Sequence, residues 1–472
     1  MNDYAPTTAF TAETAVASVD ASSTSLLTDM YELTMLQGAL ASGTATRRSV
    51  FELFGRRLPA SRRFGVVAGT GRLLDAIEAF TFAPSQIDFL HRTGVVNDET
   101  LDFLRDYRFS GTIRGYAEGE CYFAGSPLLT VEGTFAEACI LETLALSIYN
   151  YDCAVAAAAS RMTIAAHGRP CVDFGARRAH EQAAVAAARA SVVGGFVGTS
   201  NLEAGLLYGI PTVGTSAHSF TLLHDTEEEA FAAQVASLGP STTILVDTYD
   251  IATGVERAVK AARAAGGELG AVRLDSGDLV AEAFKVRAQL DALGATSTKI
   301  TVTNDLDEHA IAALGAAPVD SYGVGTKLVT GSGRPTAALV YKLVEREGAD
   351  GTMEEVAKFS SGGKSTVGGR KWAGRILSPE GTAAEELVVA SSSQDEGMSA
   401  LSQAGARPLQ VLLVDEGRII EEHRGKEALS AAAERHRASR AELPYDAWRL
   451  SDGESALPTR HVDLDGRGAT RR

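Results

Sequence analysis

Seven short apolar runs between residues 171 and 327 each end in a cluster of polar or glycine residues. The clusters are Asp173-Phe174-Gly175-Ala176-Arg177, Gly198-Thr199-Ser200, Gly214-Thr215-Ser216-Ala217-His218, Asp247, Arg273-Leu274-Asp275-Ser276-Gly277-Asp278, Thr303-Asn304-Asp305 and Gly323-Val324-Gly325-Thr326-Lys327. In parallel β/α barrels the active site is built from residues at the carboxyl ends of the strands. If the runs are strands, the clusters meet at one edge, where their residue types would bind anions and move phosphoryl groups.

Arg273 and Asp275 lie two positions apart at the end of one run, so that both can point to the same side of a strand. Arginine binds a carboxylate or phosphate through paired hydrogen bonds, and aspartate can hold ribose hydroxyls or Mg²⁺. Ser276 or Asp278 could instead cap the helix that follows. Because charged groups that end a buried strand need partners, a binding role is favoured for Arg273 and Asp275.

His218 ends the third run and Asp247 ends the next. A single histidine is more often structural than catalytic. A position at the carboxyl edge of a barrel makes the two roles about equally expected. Carboxylates commonly orient such rings, so Asp247 could hold the imidazole of His218. Ser200, from the preceding run, would then lie on the other side of the ring.

The turn Gly323-Val324-Gly325-Thr326 follows the last run. Glycines let backbone N–H groups approach a phosphate closely, and the last loops of barrels often bind phosphate. A plain tight turn would use the same residues, so its place in the seventh unit is what favours a phosphate site. Phe174 and Tyr31 could stack on a flat ring, although either could equally be a core residue.

The composition narrows the class of protein. The chain has 472 residues and a formal net charge of −16, which excludes broad binding to nucleic acid or to acidic membranes. Residues 1–24 lack the basic and apolar regions of a signal peptide, and no segment reads as a membrane span. The cysteines form no CxxC pair and have apolar neighbours, which predicts buried free thiols in a reducing, cytoplasmic compartment: Cys121, Cys139, Cys153 and Cys171.

Strands and helices alternate through the repeated region, which predicts a parallel sheet. We expect an α/β fold: an irregular, incomplete parallel β/α barrel of about seven strands, packed with an N-terminal α+β lobe. The expected organisation is a disordered tail at 1–24, the α+β lobe at 25–165, the barrel with its active site at 166–337, a segment returning to the N-terminal lobe at 338–450, and a polar tail at 451–472.

An ordered series of strings between residues 26 and 375 resembles nicotinate phosphoribosyltransferases. In the N-terminal part the strings are Leu27-Thr28-Asp29-Met30-Tyr31-Glu32-Leu33-Thr34-Met35, Phe51-Glu52-Leu53-Phe54-Gly55-Arg56, Glu118-Gly119-Glu120 and Val131-Glu132-Gly133. In the repeated region they are Asp173-Phe174-Gly175-Ala176-Arg177-Arg178, Gly198-Thr199-Ser200-Asn201, Gly214-Thr215-Ser216-Ala217-His218-Ser219, Arg273-Leu274-Asp275-Ser276-Gly277-Asp278 and Gly323-Val324-Gly325-Thr326. The resemblance implies a type II phosphoribosyltransferase fold and a homodimer with shared active sites. It also implies the reaction of nicotinate, phosphoribosyl pyrophosphate, ATP and water to nicotinate mononucleotide, pyrophosphate, ADP and phosphate, in the salvage of nicotinate to NAD.

The resemblance also implies roles for the candidate residues. Nicotinate would lie between Phe174 and Tyr31 of the partner subunit, with Arg273 on its carboxylate. At the position of Ser200 the related nicotinamide enzymes have an aspartate. An aspartate would repel the carboxylate of nicotinate, whereas a serine can donate a hydrogen bond to it. ATP would phosphorylate His218, whose ring Asp247 would hold. Phosphoribosyl pyrophosphate with its Mg²⁺ would be bound by Arg56, Arg177, Asp275, Asp305, Gly323, Gly325 and Thr326, with Asp275 also near the metal ion.

Some features depart from the family pattern, and other functions stay open. His180 stands where the family often has glutamine, Thr303-Asn304-Asp305 replaces Ser-Gly-Asp, and the basic stretch 361–371 resembles the family's C-terminal loop only loosely. The alternatives are a nicotinamide or quinolinate phosphoribosyltransferase, a barrel lyase using Lys327 as a Schiff base, or a metabolite-binding protein without catalysis.

Overall fold

The computed structural model describes residues 23–358 and 367–464. The tail expected at 1–24 and the basic stretch 361–371 therefore lie largely outside the described residues. The helices are α1 (Met30–Ala41), α2 (Thr70–Glu78), α3 (Pro84–Thr93), α4 (Asp98–Arg105), α5 (Phe135–Cys139), α6 (Glu142–Ala165), α7 (Glu181–Val193), α8 (Leu202–Tyr208), α9 (His218–Leu223), α10 (Glu227–Leu238), α11 (Ile251–Ala264), α12 (Leu279–Ala292), α13 (Glu308–Ala313), α14 (Thr326–Val329), α15 (Gln394–Gln403) and α16 (Gly425–Ala441).

The strands form separate sheets within the described residues. They are β1 (Arg48–Gly55), β2 (Gly65–Val66), β3 (Thr112–Tyr116), β4 (Cys121–Tyr122), β5 (Pro127–Thr134), β6 (Cys171–Asp173), β7 (Gly198–Thr199), β8 (Thr243–Leu245), β9 (Ala271–Leu274), β10 (Lys299–Val302), β11 (Ser321–Val324), β12 (Leu339–Glu347), β13 (Met353–Glu355), β14 (Lys371–Leu377), β15 (Ala383–Ala390), β16 (Ala406–Pro408), β17 (Gln410–Asp415), β18 (Arg418–Ile419) and β19 (Thr459–Asp463).

The predicted parallel sheet is present and has the order β7-β6-β11-β10-β9-β8. Each neighbouring pair is parallel, and helices follow the strands as the periodicity predicted. The strands are short and apolar because both faces are covered, as in other parallel sheets. A mixed α/β fold whose parallel sheet curls into part of a barrel is therefore confirmed.

The described sheet has six strands, not the expected seven. The third apolar run contributes only an isolated parallel bridge between Thr212 and Thr199. Its ladder is limited to the N–H of Thr199 donating to Pro211 and the N–H of Val213 donating to Thr199. Pro211 has no N–H to extend the pairing. The sheet is therefore open between this bridge and β8.

An antiparallel sheet, ordered β13-β12-β1-β5-β3-β17-β18, forms the N-terminal lobe together with segments from the end of the chain. β12 pairs with β1 and β17 pairs with β3, so residues after 338 supply four of its seven strands. Phe51 and Tyr341 stack across β1 and β12 with ring centroids 5.0 Å apart. The segment 338–450 thus contains β12, β17 and β18 of this sheet and the helix α16.

The segment expected to be a polar tail contains a strand. β19 pairs in parallel with β15 at the edge of a sheet ordered β16-β14-β15-β19. The edge is fixed by polar contacts: Thr459 Oγ1 donates to the carbonyl of Ala124, and Arg460 pairs with Glu385 at 2.8 Å. A strand held by polar side chains lacks the apolar alternation by which sequence reveals strands, which explains why it was missed.

The long helix α6 lies between the hydrophobic core of the N-terminal lobe and the core around the parallel sheet. It carries the buried alanines Ala156, Ala158 and Ala159.

All four cysteines are buried and free, as the sequence predicted. Burial raises the pKa of Cys121 and of Cys171 to about 12, so these thiols stay protonated. No helix in the described part of the chain is both long and apolar enough to cross a bilayer.

Candidate active site

Two adjoining cavities open at the carboxyl edge of the parallel sheet, with volumes of about 400 Å³ and about 100 Å³. The larger is lined by Phe174, Ala176, Arg177, Ser200, Gly214, Thr215, Ser216, Ala217, His218, Arg273, Asp275 and Thr303. The smaller is lined by Phe174, Arg177, Arg178, Asp275, Thr303, Asn304, Asp305, Gly323, Gly325 and Thr326. Most of the residues that the sequence singled out therefore lie around one continuous cleft.

The ring of Phe174 stands where the two cavities meet. Its N–H donates to the carbonyl of Val324 at 2.8 Å, which fixes the loop after β6 against β11. A Cβ atom on Gly323 would lie 2.3 Å from the Phe174 ring, which is too close for any side chain at this position. Gly323 is thus required to make room for this ring, a role that the sequence could not reveal.

Arg273 is held against the loop that carries His218. Its NH1 donates to Oγ1 of Thr215, and its NH2 donates to the carbonyl of Ser216 at 3.1 Å. Burial lowers the pKa of Arg273, and Asp275 and Asp247 oppose this. A guanidinium remains protonated in proteins, so Arg273 places a positive charge in the wall of the larger cavity.

The imidazole of His218 has a different partner from the one expected. Its Nδ1 lies 3.1 Å from Oγ1 of Thr248. The Asp247 carboxylate instead accepts hydrogen bonds from the N–H of Asp275 and the hydroxyl of Ser276, both at 2.8 Å. The expectation that Asp247 holds the ring of His218 was therefore wrong.

The register of the sheet explains this correction. Leu245 of β8 pairs with Arg273 of β9. Two residues further along each segment, Asp247 therefore lies beside Asp275. Consecutive side chains of an extended segment point to opposite sides. Asp247 therefore meets the loop after β9, and Thr248 meets His218.

A buried aspartate shapes the turn beside Ser200. Asp173 accepts hydrogen bonds from the N–H of Gly175 and from Oγ1 of Thr199, both at 2.7 Å, and burial raises its pKa. The N–H of Ser200 donates to the carbonyl of Asp173 at 2.8 Å. These bonds hold Ser200 at the wall of the larger cavity, across from the loop of His218.

The smaller cavity joins cationic side chains to a tight backbone. Arg177 and Arg178 lie on one turn of 3₁₀ helix, opposite Gly325 and Thr326 at the start of α14. Asn304 has a φ of 107°, a conformation that residues with side chains rarely adopt. Such strain is concentrated at functional sites, and paired arginines beside N–H groups form a binding site for anions.

Besides Asp247, two further predicted residues do not line the cleft. Tyr31 is 45% exposed on α1, and burial together with Glu142 and Glu32 raises its pKa to about 12. Arg56 follows the end of β1, outside the residues that line either cavity. Tyr31 was expected to act from a partner subunit, which a single chain does not contain.

Several lining residues were missed by the sequence: Arg178, Thr215, Ser216, Ala217, Thr303 and Asn304. All of them lie in the same polar clusters as the chosen residues, so their position after a strand was the available signal. Thr248 had no such signal, because it reaches His218 from the neighbouring loop.

Among the described residues there is no group of three or more His, Cys, Asp or Glu side chains that could hold a metal ion alone. Magnesium in phosphate enzymes is usually held by one or two carboxylates together with substrate phosphates. Asp275 borders both cavities, and the Oδ1 atom of the neighbouring Asp247 is buried without a hydrogen-bond partner. These carboxylates fit an Mg²⁺ ion that arrives with a phosphorylated substrate.

Comparison with solved structures identifies the class of fold. The crystal structure of human nicotinic acid phosphoribosyltransferase superposes with a TM-score of 0.78 at 24% identity, covering 92% of this chain and 97% of that chain. The protein therefore shares the α/β fold of that structure.

Sequence comparison then gives the family. A model of the nicotinate phosphoribosyltransferase N-terminal domain matches residues 26–150, and a model of the nicotinate phosphoribosyltransferase family matches residues 170–366. The Mycobacterium tuberculosis protein named nicotinate phosphoribosyltransferase pncB1 is 51% identical over 445 residues, 93% of this chain and 95% of that protein. The Bacillus subtilis nicotinate phosphoribosyltransferase is 37% identical over 362 residues, 75% of this chain and 74% of that protein. The chain belongs to the nicotinate phosphoribosyltransferase family.

Proposed function

We propose that the protein transfers the phosphoribosyl group of phosphoribosyl pyrophosphate to nicotinate, with coupled hydrolysis of ATP, in the salvage of nicotinate to NAD. The ring nitrogen of nicotinate attacks C1 of the ribose, and the bond from C1 to pyrophosphate breaks with its electron pair leaving on pyrophosphate. The observation that carries this proposal is the pair of adjoining cavities in a member of this family. One has an aromatic wall with a cation, and the other has paired arginines over a glycine turn.

The larger cavity suits nicotinate. Phe174 supplies a ring face for the pyridine, Arg273 supplies a cation for its carboxylate, and the Ser200 hydroxyl can donate to the same carboxylate. The volume of about 400 Å³ falls within the range of small-molecule sites. A neutral amide would gain less from the cation, which is why nicotinate is preferred to nicotinamide here.

The smaller cavity suits the phosphoribosyl group. Gly323, Gly325 and Thr326 would surround the 5′-phosphate with N–H groups, while Asp275 and Asp305 would hold the ribose hydroxyls. Arg177, and Arg56 if it turns toward the cleft, would contact pyrophosphate. An Mg²⁺ ion near Asp275 would neutralise charge on the leaving pyrophosphate when it is bound.

His218 is the candidate for the ATP-dependent step. The γ-phosphoryl group of ATP would pass to the imidazole, releasing ADP, and water would later release phosphate. Because Nδ1 is engaged by Thr248, Nε2 is the nitrogen left to accept the phosphoryl group. A negatively charged phosphohistidine beside the cleft would interact electrostatically with the charged groups of phosphoribosyl pyrophosphate and with its metal ion.

Exposed apolar side chains support a homodimer with shared sites. Leu27, Met30, Tyr31 and Met35 are 61%, 60%, 45% and 40% exposed on or next to α1. Leu202, Leu206, Leu222 and Leu223 are exposed on α8 and α9, beside the cleft. Exposed apolar patches mark protein interfaces, so α1 of one subunit could cover this flank of the other. Tyr31 of the partner subunit would then complete the nicotinate pocket.

The buried thiols suit a cytoplasmic location.

The test is pyrophosphate release by the purified protein with Mg²⁺ and phosphoribosyl pyrophosphate, using nicotinate, nicotinamide or quinolinate, each with and without ATP. We expect release with nicotinate, stimulated by ATP. Release with nicotinamide alone would overturn the substrate, and no release with any of the three would overturn the reaction.

The ATP step is tested with His218→Asn. We expect ATP stimulation and labelling by [γ-³²P]ATP to be lost, while weak ATP-independent synthesis of the nucleotide remains. His224→Asn is the matched control, since His224 lies on the same segment and its ring bonds only to the carbonyl of Phe220 among the described residues. Retained ATP-stimulated turnover in His218→Asn would contradict the assignment.

A further inference from the structure

A buried glutamine spans the opening in the parallel sheet. Gln234 of α10 is 4% exposed. Its Oε1 accepts a hydrogen bond from Oγ of Ser216 at 2.7 Å, and its Nε2 donates to the carbonyl of Thr243 at 2.9 Å. Thr243 begins β8, and Ser216 follows the isolated bridge at Thr212. A single amide therefore links the two edges of the sheet between which a seventh strand was expected.

The linked loop, residues 214–218, carries much of the wall of the larger cavity. Ser216 is held from two sides, because its hydroxyl bonds to Gln234 and its carbonyl accepts from NH2 of Arg273. The loop ends at His218, whose ring bonds to Thr248. The position of Ser216 thus affects both the cation that faces the substrate carboxylate and the histidine proposed to receive a phosphoryl group.

An amide suits this place better than other side chains would. The carbonyl of Thr243 needs a donor and the hydroxyl of Ser216 needs an acceptor, and glutamine supplies one of each. Glutamate would offer only acceptors, and an apolar side chain would remove both of these partly buried hydrogen bonds.

We propose that Gln234 is a positioning residue that sets the geometry of loop 214–218, and through it the binding of nicotinate and the stimulation by ATP. It contacts no substrate itself. The inference rests on the proposed function and adds a residue, outside the cleft, on which substrate selectivity depends. The glycine turn at Gly323 to Thr326 follows β11, in the middle of the sheet and away from both edges of this opening. The binding of phosphoribosyl pyrophosphate in the absence of ATP should therefore not depend on Gln234.

The test compares Gln234→Met with Gln289→Met. Methionine keeps the length of glutamine and removes its hydrogen bonds. Gln289 on α12 is the matched control, because its amide also donates to a backbone carbonyl, that of Ala252 at 2.7 Å, far from the cleft lining. For Gln234→Met we expect KM for nicotinate to rise about ten-fold, the size expected from one lost hydrogen bond. ATP stimulation should fall, and KM for phosphoribosyl pyrophosphate, measured without ATP, should stay the same.

A second variant removes the same hydrogen bond from its other end. Ser216→Ala should raise KM for nicotinate in the same way, and the double variant should be no worse than either single one, because the two residues act through one contact. This arm keeps the inference testable if Gln234→Met folds poorly. Simple destabilisation would lower kcat with the folded fraction and leave every KM unchanged.

The outcomes separate the two proposals. If the unaltered protein releases no pyrophosphate with nicotinate, the proposed function fails. If the unaltered protein is active and Gln234→Met has the same KM values and ATP stimulation as Gln289→Met, the positioning role fails. A selective rise in KM for nicotinate with additive effects in the double variant would also overturn the route through Ser216.

Discussion

The arginines of the interior and those of the cleft differ in what surrounds their charge. Arg189 pairs with Glu118 at 2.6 Å, and Arg161 pairs with Glu308 at 3.0 Å, with all four side chains buried. Within residues 23–358 and 367–464, Arg177, Arg178 and Arg273 have no carboxylate within 4.0 Å. Arg273 donates instead to Thr215 and Ser216.

This difference separates charges that stabilise the fold from charges that remain for a ligand. A buried ion pair is costly to break because the remaining charge is left without a partner. An arginine that bonds only to neutral groups keeps its charge available to an anion. In a chain with a formal net charge of −16, the cleft is thus a local exception that attracts acidic substrates.

The largest effect should follow from breaking an interior pair. Arg189→Met leaves Glu118 buried without its bidentate partner, and we expect the free energy of unfolding to fall by about 3–5 kcal/mol. The measurement is unfolding in urea. Adding Glu118→Gln should recover part of the loss, because the uncompensated charge is removed. Arg105→Met, which breaks an exposed pair with Asp102, should cost less than about 1 kcal/mol. A cost for Arg189→Met as small as this control would remove the distinction.

A second variant would give the cleft the paired state of the interior. Ser200→Asp places a carboxylate in the larger cavity, where it can pair with Arg273 and repel the nicotinate carboxylate. We expect kcat/KM for nicotinate to fall by about 100-fold, or about 3 kcal/mol, with nicotinamide affected much less. Steady-state kinetics with both substrates measure this, and Ser200→Thr, which keeps the hydroxyl, is the control. Unchanged nicotinate kinetics in Ser200→Asp would refute the assignment of Ser200.

The interior should also respond to pH through a buried histidine. Burial, with a contribution from Arg440, lowers the pKa of His436 to about 3. In the unfolded chain a histidine has a pKa near 6.5. Between these values the unfolded chain binds a proton that the folded chain does not. The contribution of His436 is therefore complete above about pH 6.5 and is lost as the pH falls below it, by about 1.4 kcal/mol per pH unit.

The check is unfolding in urea at about pH 7.5 and about pH 5.5. His436→Gln should flatten the dependence on pH relative to the unaltered chain, because the titrating group is gone. His309→Gln, at an exposed position on α13, should leave the dependence as it is. Equal slopes for the unaltered chain and His436→Gln would show that His436 is protonated in the folded state.

The smallest effect is expected at the strained edge of the cleft. Asn304 adopts a φ of 107°, which glycine tolerates without strain. Asn304→Gly should stabilise the chain by up to about 1 kcal/mol, because relief of strain is partly offset by the lost bond to the N–H of Asp305. Asn304→Ala should destabilise it. If thermal unfolding shows Gly below Ala, the positive φ is not a source of strain.

The parallel sheet and its functional edge could be predicted because their signals are local. The polar clusters that follow short apolar runs located the ends of β8, β9 and β10 to within a residue or two. The clusters also supplied ten of the thirteen chosen site residues to the cleft lining. A buried parallel strand is recognisable from its own composition. The pairing of β1 with β12, almost three hundred residues later in the chain, has no such local signal.

What the sequence missed depends on contacts between neighbouring segments. The third run contains apolar residues and still forms only a single bridge, because Pro211 has no N–H with which to extend its pairing with β7. Thr248 follows β8, and Gln234 lies on α10, which precedes β8; neither belongs to a polar cluster singled out in the sequence. Their contacts with the loop of His218 can be predicted only when the register of the sheet is known. The error over Asp247 arose in the same way, since a shift of one residue exchanges the side to which a side chain points.

The buried thiols provide a built-in reporter of local opening. Cys139 ends α5 beside the antiparallel sheet, and Cys171 begins β6 of the parallel sheet. A thiol-alkylating reagent reaches either sulfur only when the surrounding elements separate, so its rate of reaction measures how often each region opens. Comparing the two rates by mass spectrometry would show which of the two sheets loosens first, and whether a bound substrate slows the parallel one alone.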